Sequence, residues 1–226
     1  MLLTRTVRRD DLDLHVRFRP GTPTVALLHG LAGTGEEWNG VIDALPDEFG
    51  VIAPDLRAHG DSRGPTTPSI TADAFTADTE ALLATIAPEP VVLVGQSMGG
   101  VIATRVAARR PDLVRHLVLV DAGIAALDED LGGLDHWLRT SDTGHDPDSM
   151  VATIRAVATE PRNADWQAFT GPRTVVLAQR SFIDADDVAR MATLAPRTTW
   201  HSVPESGHDV HLDRPDALAA LLTDVR

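Results

Sequence analysis

The 226-residue chain has no cysteine, which excludes a disulfide framework, a thiolate nucleophile and any cysteine-ligated metal. Lysine is absent too, so all 20 basic residues are arginine; with the abundance of alanine, this reads as genomic bias without functional content. No apolar run approaches the roughly 20 residues that span a bilayer. The opening Met1-Leu2-Leu3-Thr4-Arg5 lacks the apolar core of a signal peptide, so the expected location is cytoplasmic. Neither a G-x-G-x-x-G loop nor a P-loop occurs, which removes the usual phosphate cradles of redox and nucleotide-binding proteins. Positive charge is scarce: 33 acidic residues leave a net charge of −13. Nucleic acid and anionic membrane would be repelled, so neither is an expected partner.

What remains is an ordinary soluble composition, 43% hydrophobic and 23% charged, at a length suited to one α/β domain. Residues 91–100 organise it. Val91, Val92, Leu93 and Val94 form a short β-branched run that reads as a buried strand. Gly95-Gln96-Ser97-Met98-Gly99 follows, a G-x-S-x-G pattern that runs into helical spacing over residues 101–109. On so sharp a strand-to-helix turn the serine is strained, and the flanking glycines leave room for the crossing chain. The turn exposes the Ser97 hydroxyl and sets the N–H of Met98 beside it at a helix N-terminus.

In chain order, residues 12–18 alternate, with Leu12, Leu14, Val16 and Phe18 on one face, and read as a half-exposed edge strand. Strands are expected at 24–28, 50–53, 91–94, 117–120, 174–178 and 198–203, those at 24–28, 91–94 and 117–120 buried. Helices are expected at 36–45, 72–86, 101–109, 184–194 and 215–225, with Thr71 or Ser69 capping the second. Strands alternating with helices imply right-handed crossovers and a mostly parallel sheet covered on both faces. Between Ala122 and Gly171 the alternation stops. Helical pieces at 127–139, 149–158 and 164–169, broken by glycine and proline, suggest an insertion over the strand ends.

Four motifs in order carry a family resemblance: His29-Gly30 after an early strand, Asp55-Leu56-Arg57-Ala58-His59-Gly60-Asp61-Ser62, Gly95 to Gly100, and Gly207-His208 ahead of His211-Leu212-Asp213-Arg214-Pro215. Together they resemble the α/β-hydrolase superfamily, over essentially the whole chain. The resemblance implies the α/β-hydrolase fold: an eight-stranded, mostly parallel sheet with helices on both faces and a short helical cap. The core then comprises residues 1–121 and 172–226, and the cap 122–171.

The resemblance also assigns roles. Ser97 is the expected nucleophile and His208, in the loop after the last strand, its base. The backbone N–H groups of Leu31 and Met98 form the oxyanion hole. The orienting acid usually follows the strand at 174–178, but that loop reads Gln179-Arg180-Ser181-Phe182-Ile183-Asp184. Asp184, its first acidic residue, is also a natural helix N-cap. Asp121, ending the preceding strand, is a position some branches use. The reading favours Asp121, with Asp184 as the alternative.

The expected activity is hydrolysis of a small carboxylic ester through an acyl-enzyme; thioesters and lactones suit the same apparatus. A ligand-binding protein or a non-hydrolytic biosynthetic enzyme on this fold is the rival. Trp137 and Trp166 are candidate substrate-binding residues, at a helical spacing that equally suits packing of the cap on the core. No cofactor is expected. No metal is expected either, because His208 and His211 have no further ligand at usable spacing. The partner is a small-molecule ester or acyl substrate, and the assembly a monomer or homodimer.

Overall fold

A computed structural model describes residues 1–226 except 11, 23, 65–69, 128–130, 132, 182 and 226. Among the described residues a single eight-stranded sheet forms, in the order β1-β2-β4-β3-β5-β6-β7-β8. Its strands are β1 Leu3–Arg9, β2 Leu12–Arg19, β3 Thr24–Leu28, β4 Gly50–Pro54, β5 Val91–Gln96, β6 Val114–Val120, β7 Arg173–Ala178 and β8 Thr199–Val203. Strand β2 runs antiparallel to both β1 and β4, and the other pairings are parallel.

The edge strand expected at residues 12–18 lies one place in from the edge. The alternating stretch at 12–18 is the second strand, and β1 forms the edge outside it. Strand β1 escapes pattern reading because only Leu3 and Val7 interrupt a run of threonine and arginine, and most of it is exposed. An edge strand with one solvated face needs little apolar content, since pairing supplies its backbone hydrogen bonds.

The two-residue period of β5 splits the core into two layers. Val91 and Leu93 face one layer with Phe75 and Leu82 of α2 (Ala72–Ile86) and Ile102 and Val106 of α3 (Met98–Arg109). Val92 and Val94 face the other. There, Val41 and Ile42 come from a short helix, Asn39–Ala44 (α1), and Leu218 and Leu222 from the C-terminal helix, Pro215–Asp224. Thr71 caps α2 by accepting from the Ala74 N–H at 3.1 Å; the other expected cap, Ser69, lies outside the described residues. No helix among the described residues is long and apolar enough to cross a membrane.

Between β6 and β7 the described residues form three helices, here α4 (Gly133–Thr140), α5 (Pro147–Ala158) and α6 (Asn163–Ala168). The helix expected from residue 127 begins at Gly133, and part of that stretch lies outside the described residues. After β7 comes α7 (Ala185–Leu194). A one-turn helix, α8 (Val210–Asp213), precedes the C-terminal helix α9.

Buried polar side chains pin the loops at the carboxyl ends of β3 and β4. His29 sets its Nδ1 2.7 Å from the Gly30 carbonyl, while its Nε2 accepts from the Leu56 N–H at 2.9 Å. The imidazole is therefore neutral, with the proton on Nδ1. Asp55 accepts from the Gly35 and Asp61 N–H groups, both at 2.8 Å. Arg57 makes a two-bond pair with Asp78 of α2, at 2.7 and 2.9 Å, and Arg9 bonds the same carboxylate. Replacing Asp78 with Ala leaves a buried guanidinium unpaired. Denaturant unfolding should show a loss of about 3–5 kcal/mol.

Burial pulls His29 from 6.5 down to about 4 and His59 down to about 3. Below pH 6.5 the unfolded chain binds protons that the native imidazoles refuse. The stability is therefore complete above pH 6.5 and is lost as pH falls toward 4. Urea titrations from pH 7 to 4.5 should show a drop of about several kcal/mol, with part of the slope removed in His59→Phe; a flat profile would contradict the assignment.

Candidate active site

The site begins with a backbone conformation. Strand β5 ends at Gln96, α3 starts at Met98, and Ser97 between them has φ +49° and ψ −117°. That left-handed conformation costs a non-glycine residue strain of order 1–3 kcal/mol. Its surroundings enforce it. A Cβ on Gly95 would lie 2.3 Å from the Gly99 carbonyl oxygen, and one on Gly99 would lie 2.3 Å from that of Leu28. The strand end, the helix start and the end of β3 thus meet backbone to backbone.

Gln96 ties this bend to the loop after β8. Its Nε2 donates to the His208 carbonyl at 3.2 Å and to Asp209 Oδ1 at 3.3 Å. The Gly30 backbone packs on the same bend, since a Cβ there would meet Gln96 Oε1 at 2.2 Å and Ser97 Cβ at 3.4 Å. Leu31 follows directly, in the loop that the His29 imidazole braces. Met98 opens α3, where the first N–H groups lack intrahelical acceptors and the helix dipole is positive.

Asp121 ends β6 with its own left-handed backbone, φ +44°, and is 2% exposed. Its N–H donates to the Val176 carbonyl at 2.8 Å, and its Oδ1 accepts from the Ala178 N–H at 3.0 Å. These bonds lock the carboxylate against β7. The remaining oxygen, Oδ2, lies 2.8 Å from Nδ1 of His208. A carboxylate only accepts, so Nδ1 carries the proton and a neutral His208 has its lone pair at Nε2.

Ser97, Met98, Asp121 and His208 all line one cavity of about 390 Å³. Val101, Leu127 and Ile154 give it apolar walls, and Arg162, Asp184 and Asp187 add charge. Asp184 lines this cavity and caps α7, accepting from the Asp186 N–H at 2.9 Å; the Nδ1 of His208 is paired with Asp121 instead. The two tryptophans lie elsewhere. Trp166 is fully buried, donates from Nε1 to the Met191 carbonyl at 3.0 Å and carries the Arg173 guanidinium over its ring. Trp137 is 47% exposed on α4, whose neighbour Leu138 takes the buried position. Neither is among the residues that line the cavity.

His208 and His211 diverge. His211 is buried against Trp38, 4.6 Å between ring centres, with its Nε2 3.7 Å from Glu37. A different cluster, His15, Asp55 and Asp61, brings possible ligand atoms within 4.8 Å of one another, but both Asp55 oxygens are already committed to backbone N–H groups. Pattern reading missed Gln96, Arg162 and Asp187. Gln96 occupies a variable position of the motif, and the other two sit in polar stretches whose only periodic signal is helical.

A family model for the alpha/beta hydrolase fold matches residues 23–156. The sn-1-specific diacylglycerol lipase ABHD11 of Mus musculus is 28% identical, covering 88% of this chain and 81% of its own. Lipase LipV of Mycobacterium tuberculosis is 42% identical over 50% of this chain, which spans 43% of that protein's length. Among solved structures, E-2-(acetamidomethylene)succinate hydrolase superposes with a TM-score of 0.83 at 22% identity, covering 100% of this chain and 99% of its own. The thioesterase domain from the curacin biosynthetic pathway does so with a TM-score of 0.82 at 19% identity, covering 99% of both chains. At such identities the structural likeness speaks for the fold. With the family model matching more than half of its residues, the chain belongs to the alpha/beta hydrolase fold family.

Proposed function

We propose that this chain is a serine hydrolase that cleaves a small carboxylic ester through an acyl-enzyme. The observation that carries the reading is the 2.8 Å contact between His208 Nδ1 and Asp121 Oδ2, on the wall of the cavity that Ser97 also lines. A carboxylate on Nδ1 orients the ring, leaves Nε2 basic and stabilises the imidazolium that forms when it takes a proton.

In the proposed cycle the Ser97 Oγ bonds to the substrate carbonyl carbon while its proton passes to His208 Nε2. The carbonyl π electrons move onto oxygen, which the N–H groups of Leu31 and Met98 receive as an oxyanion. Collapse breaks the ester C–O bond, and His208 gives its proton to the departing alkoxide. Water then attacks the acyl-serine by the same route and frees the acid. Placing Leu31 in this role is supported by the packing of Gly30 on Ser97. For Met98 the support is its place at the start of α3.

Residues 122–171 serve as a cap in this reading, because Ala125, Leu127, Ile154 and Arg162 contribute walls to the cavity. Its volume, about 390 Å³, lies in the range typical of small-molecule sites. The names of the mouse and mycobacterial relatives, both lipases, favour an oxygen ester over other acyl compounds. No cofactor or metal takes part in these steps.

Turnover of short aryl esters tests the assignment of the acid. Asp121→Asn should lower kcat by about ten-thousandfold while the protein stays folded. Asp184→Asn keeps a competent helix cap and should change kcat by no more than about twofold. The reverse ranking would transfer the role to Asp184.

A further inference from the structure

Two buried charges on the cavity wall have no part in the cycle above. Arg162 is 4% exposed and Asp187 is 3% exposed; both line the cavity with Ser97. They bond the same two residues, Ile124 and Ala125, Asp187 through their N–H groups and Arg162 through their carbonyls. Asp187 Oδ2 accepts from the N–H groups of Ile124 at 2.8 Å and Ala125 at 3.0 Å. The Arg162 N–H donates to the Ile124 carbonyl at 2.9 Å, and its guanidinium Nη2 to that of Ala125. Its Nη1 donates to the Glu160 carbonyl at 2.7 Å.

Each charge keeps one polar atom in reserve. Among the described residues, Arg162 Nε and Asp187 Oδ1 are buried without a hydrogen-bond partner. Leaving such groups unmade in the native state is costly, and more so for charged groups. Burial draws Arg162 down to about 10, and Asp187 opposes that shift, so the guanidinium is cationic at neutral pH. One orphan donates and the other accepts. The two charges sum to zero.

We infer that Arg162 and Asp187 form a polar subsite in the acyl pocket that takes a hydroxyl group of the substrate's acyl chain. A hydroxyl donates its proton to Asp187 Oδ1 and accepts from Arg162 Nε–H, satisfying both orphans with one atom. A methyl terminus satisfies neither. A carboxylate terminus meets Arg162 favourably but is repelled by Asp187 and has no proton to give it. The inference rests on Ser97 hydrolysis in this cavity and adds the substrate class.

The test compares 4-nitrophenyl esters of straight-chain acids of increasing length, each ending in a methyl, a hydroxyl or a carboxylate. At the chain length that reaches the subsite, the hydroxyl-ended ester should exceed its methyl-ended counterpart in kcat/KM by about tenfold or more, the worth of a hydrogen bond to a charged group. Asp187→Asn keeps the shape but turns the acceptor into a donor. That variant should lose the hydroxyl preference and gain on the carboxylate-ended ester, a reversal that mere loss of packing would not produce. Labelling of Ser97 by a small fluorophosphonate in every variant reports that the hydrolytic centre is intact. Labelling and turnover with no hydroxyl preference at any length would overturn the subsite alone. Absence of both would overturn the hydrolase reading, and the subsite with it.

Discussion

The architecture depends on one close approach of backbone. The end of β5 and the start of α3 pass so near each other, and so near the end of β3, that glycine is the only residue which fits at positions 95 and 99. A Cβ at Gly100 would likewise lie 2.4 Å from that of Ala122, just past Asp121. This crowding brings the carboxyl ends of three neighbouring strands to one point and leaves Ser97 no relaxed backbone conformation. Strain at one residue is tolerated because the packed sheet and helix around it over-determine its position. Functional groups collect where strands end in such sheets, since the loops there are set by a rigid scaffold.

Polar side chains then do for the loops what backbone ladders do for the strands. His29 joins the loop after β3 to the loop after β4. Asp55 gathers Gly35 and Asp61, and Gln96 reaches the loop that carries His208. Each is buried, so each bond forms in a medium where an unmade partner is expensive. The result is a group of loops held together by buried side chains. Asp121 extends the pattern: one oxygen is fixed by β7, and the other is left for an imidazole.

The parts that declared themselves in the sequence are those with a dense local signal. Strand β5, the serine turn, α2, α7 with its Asp184 cap, and the alternation of strand and helix all follow from apolar period and turn chemistry. Asp121 was legible as a strand-end carboxylate, and His208 as the Gly-His loop after the last strand; their pairing is a contact across 87 residues, which only folding displays. Strand β1 stayed hidden because an edge strand of threonine and arginine has no apolar rhythm. Trp166 could not be separated from a substrate contact, since a helix packs on the core and lines a pocket with the same residue types. Arg162 and Asp187 carried no signal at all. A buried charge looks like any surface charge until the chain that covers it is in place.

The central claim is that His208, oriented by Asp121, makes the Ser97 hydroxyl reactive. The rate and site of covalent phosphonylation by a fluorophosphonate, in wild type and in His208→Ala, measure this directly by mass spectrometry. The account predicts a single adduct on Ser97 and a fall in its rate of at least about a thousandfold in the variant. An adduct on another residue, or an unchanged rate in His208→Ala, would contradict it.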